Sequence, residues 1–60
     1  MNSVNIAFKY IPIGVEFKHK GQEYIKTNLG RGYYYKEGKK VLRYFKKKTV
    51  VNTISEYFNL

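Results

Sequence analysis

The chain has sixty residues and a net charge of +8, from twelve Lys and Arg against four Glu and no Asp. It holds one domain at most, and a chain this short buries only about 60% of the surface its unfolded form exposes, so its stability is marginal. With no cysteine, a disulfide framework is excluded, and His19 with a few scattered glutamates does not build a metal site.

The signals along the chain are mostly of period two. Val4, Ile6, Phe8 and Tyr10 alternate with polar or small residues, a weak first strand ending near Ile11. Ile11-Pro12-Ile13-Gly14 reads as a bend, because Pro12 lacks a backbone donor and Gly14 permits a tight turn. Val15, Phe17 and His19 alternate with Glu16, Lys18 and Lys20, a half-buried strand with Phe17 inward. Lys20-Gly21 is a hairpin turn, and Gln22 to Thr27 is its return strand, with Tyr24 and Ile25 on opposite faces. Asn28-Leu29-Gly30 is a loop, as Asn and Gly tolerate positive φ.

Tyr33, Tyr34 and Tyr35 make the next strand, and Lys36-Glu37-Gly38-Lys39 a four-residue turn. Val41, Arg43 and Phe45 alternate with Leu42, Tyr44 and Lys46 on the strand that follows. Thr49-Val50-Val51 is a short closing strand. Thr53-Ile54-Ser55-Glu56 then fits a capping box, with Ile54, Tyr57 and Phe58 on one face of a single helical turn. The expected core holds Phe17, Ile25, Val41, Phe45 and Val50, each on an alternating strand face.

Residues 1–60 therefore read as one small, mainly all-β domain. The expected architecture is a five-stranded SH3-like barrel, or a strongly bent antiparallel sheet, with a short C-terminal helix. No apolar run approaches the ~20 residues of a membrane span. The N-terminal MNSVNIAF lacks the charged and long apolar regions of a signal peptide, so a cytoplasmic location is expected.

The charge is unevenly placed. Residues 31 to 48 carry +7, the first thirty +2 and the last twelve −1. Clustered positive charge opposes folding and attracts polyanions. Within that stretch Arg31, Tyr33, Tyr35, Lys36, Lys39 and Lys40 interleave cations with aromatics, and Arg43 and Tyr44 continue the pattern. Bases stack on aromatic faces for about 1–3 kcal/mol each while lysines track the backbone. Strand alternation puts Tyr33 and Tyr35 on one face and Tyr34 on the other, so at most two of the three share a binding face. The same tyrosines are also candidates for the core. Lys46, Lys47 and Lys48 add a phosphate grip that reads no sequence. Nothing resembles a recognition helix. Gly30-Arg31-Gly32 is too short for a phosphate-cradling loop, which leaves a hinged turn or an RGG-like contact with RNA.

Catalysis needs a nucleophile with a base, a carboxylate pair or a metal. His19 sits between Lys18 and Lys20, and the glutamates are singly placed, with Glu16 and Glu23 expected to pair with lysines rather than with each other. No enzyme activity, cofactor or catalytic residue is expected. The expected partner is nucleic acid, DNA or RNA, bound with little sequence preference. A host protein such as a defence nuclease or RNA polymerase is the alternative, since Tyr and Arg also dominate protein interfaces. A homodimer is a further candidate assembly, because so thin a core gains from a partner subunit.

The stretch Gly14-x-x-Phe17, then Gly21-x-x-Tyr24-x-Lys26-Thr27, then Gly38 and a closing Thr49-Val50, resembles small hypothetical proteins of tailed bacteriophage genomes. The likeness covers roughly Phe8 to Val51. The resemblance implies an SH3-like barrel and an accessory phage protein, acting in the host cytoplasm on host or phage machinery or inhibiting a host enzyme during takeover. It implies no catalytic residue. The triple tyrosine and the lysines after Arg31 go beyond the pattern and make this chain more basic.

Overall fold

The computed structural model describes residues 2–57 as an antiparallel six-stranded sheet. Its strands are β1 (Ser3–Ala7), β2 (Glu16–His19), β3 (Gln22–Asn28), β4 (Arg31–Lys36), β5 (Lys39–Tyr44) and β6 (Val50–Ile54). The spatial order is β1-β6-β2-β3-β4-β5. The count is six rather than five because every extended segment legible in the sequence becomes a strand of its own, the weak first one included. The sheet is open, with β1 and β5 as its edges, and is not the closed barrel expected.

Local chemistry explains most of the connections. Lys20 and Gly21 both adopt positive φ, 50° and 81°, between the paired His19 and Gln22. Glu37 and Gly38 do the same, at 52° and 77°, between Lys36 and Lys39. Two consecutive left-handed residues make the turn whose twist matches the flanking strands. The β4–β5 connection is thus a two-residue turn and not a four-residue one. The Asn28 loop turns differently from expectation. The Asn28 side-chain oxygen accepts from the Gly30 N–H at 3.0 Å, and neither residue needs positive φ.

The expected first strand breaks at Phe8. Phe8–Tyr10 form a 3-10 turn closed by the Ile11 N–H donating to the Phe8 carbonyl at 3.0 Å. The turn swings Phe8 and Ile11 into the interior, where both are buried. Gly14, at φ 91°, then donates to the Lys26 carbonyl at 2.8 Å and feeds the chain into β2.

The C-terminal expectation is overturned where it can be read. Thr53 does not cap a helix. It lies within β6, buried, and donates its hydroxyl to the Glu16 carbonyl at 2.7 Å. β6 pairs with β1 on one side and β2 on the other, and Thr, being β-branched, suits that central place. Ser55–Tyr57 form only a 3-10 turn, where Glu56 accepts from the Asn2 N–H. Phe58 lies outside the described residues. Among the described residues no helix is long and apolar enough to cross a membrane.

The core lies on the inner face of the curled sheet. Phe8, Ile11, Phe17, Tyr24, Phe45 and Val51 form it, with Ile6, Val15 and Tyr34 packed against it. Phe8 stacks on Phe45 at 5.0 Å, and Phe17 meets Phe45 edge-on at 5.1 Å and stacks on Tyr24 at 5.4 Å. Such aromatic pairs contribute about 0.5–1.5 kcal/mol each beyond the area they bury. Of the expected core, Phe17 and Phe45 are inside, Ile25 and Val41 are half-buried, and Val50 is exposed. Val51 is the inward residue of that pair, because β6 runs on to Ile54 and sets its own alternation.

Two features of this core are unusual. Gly32 is buried opposite Arg43, and a Cβ there would sit 2.7 Å from the Phe17 ring. Lys26 is also buried. Its ammonium donates to the Phe8 carbonyl at 3.1 Å and lies 4.4 Å from the centre of the Phe8 ring. Burial pushes its pKa below the ordinary lysine value of 10.5.

Candidate nucleic-acid interface

The antiparallel register sorts the basic and aromatic residues of 31–48 onto two faces. Arg31 faces Tyr44, Tyr33 faces Leu42, and Tyr35 faces Lys40 across the β4–β5 pair. All six share the outer side of the hairpin, since side chains alternate along a strand. The intervening pairs Gly32 with Arg43, Tyr34 with Val41 and Lys36 with Lys39 belong to the inner side.

The outer side is a continuous strip of rings and cations. Lys40 Nζ lies 4.4 Å from the centre of the Tyr33 ring, and the Arg31 guanidinium 4.5 Å from that of Tyr44. The Arg31 guanidinium also donates to the Tyr44 hydroxyl. Tyr33 and Tyr35 meet edge to face at 5.9 Å. Tyr35 and Tyr44 remain 66% and 74% exposed, so large ring surfaces stay available to a ligand. Aromatic side chains this exposed in a chain short of core material are not held there by packing.

The structure does not bring every sequence-derived candidate to this strip. Lys36, Lys39 and Arg43 are exposed on the opposite side of the hairpin. Lys46, Lys47 and Lys48 lie in the exposed turn after Phe45, which closes with the Thr49 N–H donating to the Lys46 carbonyl at 3.0 Å. That turn is tied to the start of the chain by the Lys9 N–H donating to the Lys47 carbonyl at 3.1 Å. Tyr34 is half-buried and meets Tyr24 edge-on at 5.3 Å, so it serves the core. Comparison with known proteins finds no matching family model, curated protein or solved structure.

The strip extends onto β3, where sequence reasoning placed no site. Ile25 pairs with Tyr33, and a shallow open groove of about 260 Å³ runs between them, bordered by Glu16, Glu23 and Tyr35. Period-two alternation sets Tyr24 and Ile25 on opposite faces, and the residue it turns into the core is Tyr24, not the expected Ile25. Glu23 lies opposite Lys18, as expected, while Glu16 lies opposite Ile25. Glu16 sets a carboxylate without a facing cation at this margin of the groove, which disfavours a polyanion there. Among the described residues no group of three His, Cys, Asp or Glu side chains is placed to hold a metal ion.

Proposed function

We propose that this chain is a non-enzymatic nucleic-acid-binding protein of low sequence specificity, an accessory protein of phage type that acts on nucleic acid or its machinery. The observation that carries the reading is the outer strip of β4 and β5, where Tyr33, Tyr35 and Tyr44 alternate with Arg31 and Lys40 on one exposed face. Bases stack on the exposed rings, and the cations meet the phosphates between them. Lys46, Lys47 and Lys48 extend the positive surface beyond the end of β5. Lys36 and Lys39 stand directly opposite each other, an arrangement that costs stability in the free protein. That pair lies on the opposite side of the hairpin and outside the strip.

The strip favours single strands over duplex. Flat rings on a sheet present stacking surfaces, which unpaired bases reach and paired bases do not. Fluorescence anisotropy with labelled single-stranded and duplex oligonucleotides tests this. Tyr35→Ala and Tyr44→Ala are expected to weaken single-strand binding by about fivefold to a hundredfold each, the range that stacking of about 1–3 kcal/mol represents. Duplex binding should change little. Unchanged single-strand affinity in both variants would remove the stacking platform. Inhibition of a host nucleic-acid enzyme is the second reading, favoured by the exposed Leu42 within the strip and by the carboxylates at its margin. A partner captured stoichiometrically from nuclease-treated host lysate, together with no oligonucleotide binding, would put that reading first.

A further inference from the structure

The two edges of the sheet differ in charge. β5 carries Lys39, Lys40 and Arg43, and an edge so charged repels a copy of itself. β1 reads Ser3-Val4-Asn5-Ile6-Ala7, with no charge at all in a chain of net +8.

The hydrogen-bond phase of β1 is fixed by its ends. The Ser55 N–H donates to the Asn2 carbonyl at 2.8 Å, and the Phe8 N–H to the Thr49 carbonyl at 2.7 Å. Antiparallel strands alternate hydrogen-bonded and non-bonded pairs. Val4 and Ile6 therefore direct their backbone groups at β6, and Ser3, Asn5 and Ala7 direct theirs outward. Among the described residues nothing beyond the β1–β6 ladder bonds to those outward groups.

We infer that β1 is a dimerisation edge, which pairs antiparallel about a twofold axis with β1 of a second copy. The axis passes beside Asn5. Asn5 then exchanges both backbone bonds with Asn5 of the partner subunit, and Ser3 does so with Ala7 of the partner subunit. The outward phase of residues 3, 5 and 7 satisfies this register without a shift. On the inner face, the half-buried Val4 meets Ile6 of the partner subunit, so two thin cores join along one seam. The lysine turn at 46–48 adjoins the Ala7 end of each β1 through the Lys9–Lys47 bond. Antiparallel pairing sends those ends in opposite directions. Ser3 to Ala7 spans about 13 Å at roughly 3.3 Å per residue, and charges beyond a screening length of about 8 Å interact weakly. The junction is therefore free of like-charge contact, while the basic turns stand at its two ends.

The test is sedimentation of the full chain, without nucleic acid, over a wide concentration range. The expected species is twice the 7.2 kDa monomer mass. Asn5→Lys sets two ammonium groups opposite each other at the seam and should weaken association by about tenfold or more. Leu42→Lys on the β5 edge should leave it unchanged. Because Asn5 also accepts from the Asn52 side chain at 3.1 Å, folding of the variant is checked by circular dichroism. Hydrogen exchange on the wild type is the second measurement. The Ser3, Asn5 and Ala7 amides should become protected as concentration rises. A wild type that stays monomeric throughout, or amides at these positions that exchange freely at every concentration, would overturn the inference.

Discussion

At the residue scale the fold turns on a missing side chain. Gly32 sits under the Phe17 ring, and the methyl of alanine would lie 2.7 Å from Phe17 Cζ. That ring is fixed between Phe8, Tyr24 and Phe45 and has no room to retreat. Gly32→Ala is expected to cost about 1–3 kcal/mol, as overpacking of a close-packed core does. Chemical denaturation checks it, and wild-type stability in the variant would show that Phe17 is free to move. Lys26 offers a prediction with a sign. Its folded-state pKa lies below 10.5, so between the two values the unfolded chain holds a proton that the folded chain has lost. Burial of the charge costs stability in full below the folded-state pKa, and that cost is relieved as pH rises toward 10.5. Lys26→Met removes the charge, and the Phe8 carbonyl keeps its bond from the Ile11 N–H. The variant should equal or exceed wild type in stability at neutral pH, with the gap closing as pH rises toward the lysine range. A pH-independent loss in Lys26→Met would mean that the buried ammonium is a net support.

At the scale of elements, Thr53 separates the strand from the helix that its sequence suggested. Asparagine serves an N-cap at least as well as threonine. Inside β6, a buried amide in place of a β-branched hydroxyl loses the bond to the Glu16 carbonyl and is expected to cost about 1–3 kcal/mol. Thr53→Asn followed by thermal unfolding decides, and a neutral result would favour the cap. The strands, the bend at Pro12 and both hairpin turns were legible, because period-two alternation and Gly at left-handed positions are local signals. Alternation also put Tyr33 and Tyr35 on one face. Three things were not legible. The capping box at Thr53 is also a local signal, and it lost to ladder bonds on both sides of β6. Phe8 left its alternating run because a 3-10 turn reaches the core better than a continued strand. The inward phase of Lys26 follows from that of Tyr24 two residues before, but lysine composition argues for the surface. The candidate site shows the same divide. Register gathers Arg31, Tyr33, Tyr35, Lys40 and Tyr44 and sends Lys36, Lys39 and Arg43 to the other side, and register depends on pairing that no local pattern contains.

For the whole molecule, the net charge of +8 and its concentration in residues 31–48 are the features that the fold does not need. The core is aromatic and inward, and the cations of the outer strip and the lysine turn add nothing to it. On the proposed reading they form a counterion-releasing surface. Arg31, Lys40, Lys46, Lys47 and Lys48 would together neutralise five phosphates if each met one. The most direct measurement of this account is the salt dependence of binding to a single-stranded oligonucleotide of mixed sequence. The logarithm of the association constant should fall linearly against the logarithm of salt concentration with a slope of about −3 to −4. Removing Lys46, Lys47 and Lys48 together should reduce the slope by about two units, while Tyr35→Ala should lower affinity and leave the slope nearly unchanged. A wild type that fails to bind at low ionic strength, or one whose affinity does not respond to salt, would contradict the claim that this face exists to hold a polyanion.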